Sequence, residues 1–106
     1  MICRIWRGWT TPENADAYEQ LLRAEIFHGI AERRIPGYRG MELLRRPLGD
    51  LIEFVTVMRF DSLDAVRVSA GPDYEVPVVP PKARALLERF DQRSAHYEVR
   101  QARGAA

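Results

Sequence analysis

The sequence predicts an α+β domain with the ferredoxin-like order βαββαβ, in which an antiparallel sheet carries helices on one face. Three observations predict it: a long amphipathic helix follows an N-terminal strand, a hairpin follows that helix, and a shorter helix precedes a final strand. The 106 residues suffice for one domain with its own core, and 46% of them are apolar. We therefore expect a single domain over residues 1–100 and a flexible C-terminal tail over residues 101–106.

A strand and a long helix account for the first third of the chain. Residues 2–9 are rich in Ile and Trp, as strands are, and Thr11 followed by Pro12 combines an N-cap with proline at the first helical position. The helix is predicted to extend to about Arg34, just before the helix-stopping pair Pro36-Gly37. Its core-facing side is expected to consist of two adjacent rows, Ala17, Leu21, Ala24, His28 and Ala31 in one and Tyr18, Leu22, Ile26 and Ile30 in the other.

A hairpin follows this helix. Residues 38–46 and 51–60 are two predicted strands, and the loop between them is short enough for antiparallel pairing. The second strand has no wholly polar face, because one face carries Phe54, Thr56, Met58 and Phe60 and the other carries Glu53, Val55, Val57 and Arg59. We therefore expect both faces of the sheet to be partly buried, the second by another copy of the chain. This predicts a homodimer through the open sheet face.

A second, shorter helix and a final strand complete the order. Asp61 or Ser62 is predicted to cap this helix, which ends at Gly71-Pro72. Residues 73–81 contain several prolines and are expected to form an irregular, lid-like segment. A short helix follows, and residues 93–100 form the predicted last strand.

Charge and cysteine usage argue against several classes of protein. The 16 Lys and Arg residues against 15 Asp and Glu residues leave a net charge of +1, which argues against a nucleic-acid-binding surface. Arginines interrupt the apolar N-terminal stretch, and no other segment is long and apolar enough to predict a membrane span. The single cysteine, Cys3, is typical of a reduced cytoplasmic protein with a buried thiol.

Segments along most of the chain resemble one known family. They are WRGW at 6–9, IPGYRG at 35–40, EFVTV at 53–57, FDSLDA at 60–65 and HYEV at 96–99. In order and spacing these segments resemble the antibiotic biosynthesis monooxygenase family, which belongs to the dimeric α+β barrel superfamily. The resemblance implies a dimeric ferredoxin-like fold. Some members of that family oxidise polyketide aromatics or quinols with oxygen and without a cofactor, and others degrade haem.

The haem-degrading branch of the family can be compared residue by residue. An ungapped alignment places Trp6 where that branch has an asparagine and Phe60 where it has a tryptophan. Residues 59–95 contain no histidine that would match its haem ligand. The resemblance therefore implies an oxygenase without a cofactor, and haem breakdown is not expected.

Two histidines are the candidate catalytic residues. His28 lies in a helix row expected to face the core. His96 lies on the last strand, and Glu98, two residues further on and on the same face, could orient its imidazole. Each has two interpretations, a pocket base that takes a proton from a phenol or enol, or a neutral imidazole with a structural hydrogen bond. Neither belongs to a cluster with metal-ligand spacing, so no metal site is predicted.

Aromatic and basic side chains are the candidate ligand-binding residues. They are Trp6, Tyr18, Arg59, Phe60 and Tyr74, which together suit a flat, conjugated ligand. Arg4, Arg7 and Arg59 lie on predicted strands. An arginine that faces a cavity could stabilise an enolate or phenolate, whereas one that faces away would pair with Glu42, Glu53 or Glu98 on a neighbouring strand.

Three functional hypotheses follow. The first is a cofactor-independent monooxygenase acting on a small aromatic or quinol-type substrate, which requires a titratable group facing a cavity. The second is a non-catalytic dimer that binds or senses a small apolar molecule, which requires only the cavity. The third is a structural dimer with a filled core.

Overall fold

An antiparallel sheet with helices on one face forms the protein, as the sequence predicts. The computed structural model describes residues 1–105, so Ala106, at the end of the predicted tail, lies outside the described residues. The strands are β1 (Ile2–Thr10), β2 (Tyr38–Leu48), β3 (Leu51–Phe60), β4 (Leu87–Phe90) and β5 (Ala95–Glu98). The helices are α1 (Pro12–Leu21), which continues through a π-helical turn (Leu22–Ile26) into α2 (Phe27–Glu32), then α3 (Leu63–Ala70) and α4 (Pro81–Leu86). The α+β class and the ferredoxin-like arrangement are confirmed.

The sheet has the strand order β2-β3-β1. Strands β4 and β5 both pair with β1, on the side opposite β3. All of these pairings are antiparallel. Strand β4 lies opposite the end of β1, and β5 lies opposite its beginning, so the two act as one edge strand that is interrupted at residues 91–94. The sequence predicted one last strand over residues 93–100 and missed β4.

Alternation along β1 divides its side chains between the two sheet faces. Arg4 and Trp6 lie on the face that the helices cover, where they line a cavity. Trp9 lies on the open face, where its indole Nε1 donates a hydrogen bond to Oε2 of Glu53 at 3.2 Å. The two tryptophans therefore lie on opposite faces, as their separation by three residues along a strand requires. The register places Trp6 opposite Thr56, so the covered face of β3 is the one that carries Phe54, Thr56, Met58 and Phe60.

Thr11 caps the long helix in the predicted way. Its hydroxyl oxygen accepts a hydrogen bond from the backbone N–H of Asn14 at 3.3 Å, and Pro12 occupies the first helical position. The side that faces the sheet is the row Tyr18, Leu22, Ile26 and Ile30. An α-helix advances about 40° beyond a full turn for every four residues. The π turn has more residues per turn, so it reduces this extra rotation and keeps the row aligned over the sheet.

The prediction that the row containing Ala17 and His28 also faces the core is wrong. Ala17, Ala24, His28 and Ala31 are exposed, and only Leu21 packs against the core. Both rows read equally well as apolar in the sequence because alanine is compatible with either environment. The large side chains decide the orientation of the helix, since their burial contributes most of the packing energy.

Ser62 is the residue that caps α3. Its hydroxyl oxygen accepts a hydrogen bond from the backbone N–H of Ala65 at 3.2 Å. Asp61 instead binds the guanidinium of Arg39, with two contacts of 2.7 Å. None of the helices formed by residues 1–105 is long and apolar enough to cross a membrane.

Two clusters of buried side chains form the core. The larger lies under α1 and α4 and contains Ala15, Tyr18, Leu22, Phe54, Val79 and Ala83. The smaller lies under α3 and contains Phe60, Ala65 and Val66. Four side chains of the larger cluster also line a cavity, which is therefore continuous with the core; they are Tyr18, Leu22, Val79 and Ala83.

Candidate functional site

A cavity of about 290 Å³ lies between the covered face of the sheet and the long helix. Residues 77–80, from the irregular segment between α3 and α4, complete its wall. The wall is mainly apolar, and its larger apolar side chains are Trp6, Leu22, Ile26, Phe27, Ile30, Met41, Met58, Val78 and Val79. Ligand pockets usually measure roughly 300–1,000 Å³. This cavity is therefore suited to a small ligand with an apolar body.

Two arginines bring positive charge to the cavity wall, and none of the described residues that line it is acidic. Arg4 donates a hydrogen bond from Nη1 to the carbonyl oxygen of Tyr74 at 2.8 Å. Burial lowers the pKa of Arg4, but an arginine side chain keeps its proton in proteins. Arg33 donates from Nη1 to the carbonyl oxygen of Ser69 at 3.0 Å. The cavity should therefore favour an anion over a cation.

Trp6 and Tyr18 lie in the cavity wall, where the sequence analysis expected them. Trp6 donates from Nε1 to the carbonyl oxygen of Asp91 at 2.8 Å, and its ring packs at a tilt on Phe90. Tyr18 is almost fully buried, with its ring edge-on to Phe54. Burial raises the pKa of the Tyr18 hydroxyl, so this group is a neutral phenol at physiological pH. As a neutral phenol it can donate a hydrogen bond to an oxyanion.

His96 is half-buried on β5, directly opposite Arg4 in the register of the sheet. Its imidazole lies edge-on to the ring of Tyr74, with the two ring centres 5.0 Å apart. Its Nε2 atom is buried and has no hydrogen-bond partner among residues 1–105. Burial lowers the pKa of His96, and the charge of Arg4 lowers it further. The imidazole is therefore neutral near pH 7, which is the form that can accept a proton.

His96 does not line the cavity itself, although its neighbour Arg4 does. Glu98, which was expected to orient the imidazole, instead approaches Arg100 at 3.9 Å. Tyr74 covers His96 and holds Arg4 through its carbonyl oxygen, so its contribution to the site is indirect.

Three other candidate residues lie away from the cavity. His28 is on the outer side of α2, with its side chain 67% exposed and its Nε2 3.0 Å from Oε1 of Glu32. The expectation that it faces the core is wrong, because the helix turns its larger side chains inward. Arg59 lies on the open sheet face and forms an ion pair with Glu42, which is the cross-strand alternative. Phe60 belongs to the smaller core cluster, where it is fully buried.

Several residues that were not among the candidate ligand-binding residues line the cavity in the structure. Ser94 is buried in the wall beside β5, and its hydroxyl has no hydrogen-bond partner among the described residues. Arg4 was considered only as one of several strand arginines, although its even position with Trp6 places both on one face. The even numbering shared by Arg4 and Trp6 was therefore the feature of the sequence that could have placed Arg4 in the cavity wall. The sequence has no such feature for Ser94, because the position of Ser94 depends on the pairing of β5 with β1.

Metal coordination finds no support in the described part of the chain. Residues 1–105 contain no group of three or more His, Cys, Asp or Glu side chains that could hold a metal ion. The charged and titratable groups at the cavity are its arginines, its phenol and the adjacent neutral imidazole.

The architecture that holds this cavity is that of the antibiotic biosynthesis monooxygenase structures. No protein-family model matches the chain, and no curated protein matches it in sequence. Solved structures do match it over nearly its whole length. A Bacillus cereus protein provisionally described as an antibiotic biosynthesis monooxygenase shares 16% identity and a TM-score of 0.71, with 99% of this chain and 96% of that chain covered.

Two further structures have names that describe an activity. SnoaB, a cofactor-independent oxygenase from Streptomyces nogalater, shares 23% identity and a TM-score of 0.66, over 95% of this chain and 94% of that chain. The monooxygenase ActVA-Orf6 of Streptomyces coelicolor, solved with the ligand Nanaomycin D, shares 16% identity and a TM-score of 0.62. The match covers 99% of this chain and 92% of that chain. The resemblance predicted from the sequence is thus confirmed for the fold. At these identities the likeness shows the fold alone.

Proposed function

We propose that this chain is a cofactor-independent oxygenase that acts on a small, electron-rich aromatic or quinol-type substrate inside the cavity. The observation that carries the proposal is a cavity with a largely apolar wall. The polar groups in that wall include arginines and a neutral phenol, and none of the described residues that line it carries a carboxylate. Such a site accepts a flat apolar body and favours its anionic form. The SnoaB and ActVA-Orf6 structures support the reaction class, since one protein is named as a cofactor-independent oxygenase, the other as a monooxygenase, and both match this chain in fold.

The chemistry needs no electron carrier because the substrate supplies the electrons. Removal of a proton from an anthrone-like phenol leaves a carbanion, which passes one electron to oxygen and becomes a carbon radical. The radical combines with the resulting superoxide, and the proton returned by the base converts the product into a hydroperoxide. Loss of water from the peroxide gives a carbonyl group. The reaction balances as CH₂ + O₂ giving C=O + H₂O, with one oxygen atom in the product and one in water.

The proposed roles follow from placement and charge state. His96 is the proposed base from a position beside the cavity wall, on the strand next to Arg4. Its imidazole is neutral, and its buried Nε2 has no hydrogen-bond partner among residues 1–105. Tyr18 is the proposed hydrogen-bond donor to the oxyanion. The apolar wall excludes water, which strengthens both interactions and protects the carbanion from protonation by solvent.

We also propose that the chain is a homodimer through the open sheet face. That face carries Ile5, Val55 and Val57 in its centre and the exposed side chains of Leu44 and Tyr97 towards its edges. Burying these side chains against a second copy would stabilise the dimer through the hydrophobic effect.

Oxygen uptake tests the proposed activity. Purified protein, freed of metals and flavin, is mixed with hydroquinones and anthrone-like phenols, and oxygen consumption is compared with the autoxidation of each compound. We expect uptake well above autoxidation, and its loss in His96→Ala. His28→Ala is the matched control, since its imidazole lies on the surface. Uptake equal to autoxidation across the panel, with tight binding of the same aromatics, would favour the non-catalytic binding protein.

A further inference from the structure

The cavity wall and the strand beside it combine a half-buried cation with polar groups that have no hydrogen-bond partner among residues 1–105. Arg4 and Ser94 both line the cavity, and His96 lies beside Arg4 on the neighbouring strand. We call Arg4, Ser94 and His96 the polar corner. The backbone N–H of Ser94 donates to the carbonyl oxygen of Glu75 at 2.6 Å, which fixes the serine where the irregular segment meets the sheet.

The charge of Arg4 is not balanced within the described part of the chain. Its hydrogen bond goes to a neutral carbonyl oxygen, that of Tyr74, and it forms no ion pair with any described residue. Other arginines of the sheet are paired, such as Arg59 with Glu42 and Arg39 with Asp61. Burial of an unpaired cation is unfavourable, so an anion that enters the cavity would bind it strongly.

The side chain of Ser94 indicates where that anion would lie. Ser94 is only 4% exposed, and its hydroxyl has no partner among residues 1–105. A buried hydroxyl without a partner is unfavourable, and a ligand oxygen that accepts its hydrogen bond removes this cost. The guanidinium of Arg4 offers a planar pair of donors that matches a carboxylate.

We propose that the polar corner binds the ionised carboxylate of a planar aromatic acid, whose ring system fills the apolar part of the cavity. This inference rests on the proposed function, because it names the class of substrate for the same site. One negative charge balances one arginine, which favours a carboxylate over a phosphate. The corner thus orients the ligand, and its residues are positioning residues apart from the proposed base.

Isothermal titration calorimetry with a matched pair of probes tests this proposal. The probes are 2-naphthoate and 2-naphthamide at pH 7, which share one ring system and differ in charge. A charge-assisted hydrogen bond in a buried site corresponds to roughly a ten- to hundredfold tighter Kd for the carboxylate. We expect this preference in the wild-type protein, its loss in Arg4→Gln, and its partial loss in Ser94→Ala. The Kd for the amide should change little in both variants.

Two further variants separate the corner from other arginines. Arg39→Gln removes an exposed arginine that is held by Asp61, and it should leave both Kd values unchanged. Arg33→Gln removes the other arginine of the cavity wall. A preference for the carboxylate that disappears in Arg33→Gln and persists in Arg4→Gln would overturn the proposal. If Arg4→Gln fails to fold by circular dichroism, Arg4→Lys takes its place, and we expect it to keep only part of the preference because it lacks the planar pair of donors.

The outcomes distinguish this inference from the proposed function. Equal affinity for naphthoate and naphthamide would overturn the polar corner and leave a cavity that binds aromatics, as the proposed function requires. Binding of neither probe would overturn both.

Discussion

Replacing Phe60 tests whether this residue belongs to the core or to the ligand site. The ring is fully buried against Tyr38, with the two ring centres 5.5 Å apart, and it packs beside Ala65 and Val66. Truncation of a buried phenylalanine to alanine costs about 3–5 kcal/mol. The loss of the aromatic contact with Tyr38 places Phe60→Ala in the upper part of that range. Domains of this kind have a total free energy of unfolding of roughly 5–15 kcal/mol.

Urea denaturation followed by circular dichroism measures this loss. Wild type and variant are compared at one protein concentration, because dimerisation would make the stability depend on concentration. Val78→Ala is the control: Val78 is 85% exposed, and its truncation should change the free energy of unfolding by less than about 0.5 kcal/mol. A Phe60→Ala variant that loses less than about 1 kcal/mol would refute the assignment of Phe60 to the core.

Ligand affinity completes the comparison. Phe60→Leu keeps most of the buried volume and should cost less than about 1.5 kcal/mol if the site repacks. Because Phe60 does not line the cavity, we expect this variant to bind 2-naphthamide as the wild type does. A weaker Kd in a stable Phe60→Leu protein would show that the ring contacts the ligand, as the sequence analysis had expected.

Two further predictions concern pH and assembly. Burial lowers the pKa of His96, so below about pH 6.5 the unfolded chain binds more protons than the folded one. The free energy of unfolding should therefore decrease as the pH falls through that range. A His96→Phe variant should show a smaller decrease in urea titrations, and an unchanged slope would contradict the buried, neutral imidazole. Val57→Glu places a charge in the centre of the open sheet face, and sedimentation velocity should detect monomers in place of dimers. A wild-type protein that sediments as a monomer would contradict the proposed assembly.

Local chemistry made much of the fold predictable. Thr11 and Pro12 mark the start of the long helix through capping, and the alternation of a strand places Trp6 and Trp9 on opposite faces. The hairpin between β2 and β3 follows from the short loop between two apolar segments. These features depend on neighbouring residues, so the sequence alone determines them.

The orientation of the elements depends on contacts between distant residues. Apolar residues lie on both faces of β3, so the sequence did not show which face the helices cover. The pairing of β3 with β1 places Phe54 and Thr56 on the covered face and Arg59 on the open face. The helix orientation that exposes His28 follows from burial of Tyr18 and Leu22 against that face. His28 and Arg59 therefore lie in their predicted elements but face away from the cavity, Arg59 in the cross-strand ion pair given as its alternative.

The candidate site itself is a product of tertiary structure. Arg4 comes from β1, Ser94 and His96 come from the other end of the chain, and residues 77–80 close the wall from an irregular segment. No local pattern relates these positions, because their proximity is created by the antiparallel pairing of β5 with β1. The sequence alone thus determined the class of fold and the kinds of side chain available, whereas the pairing of the two ends of the chain decided which of them meet around a cavity.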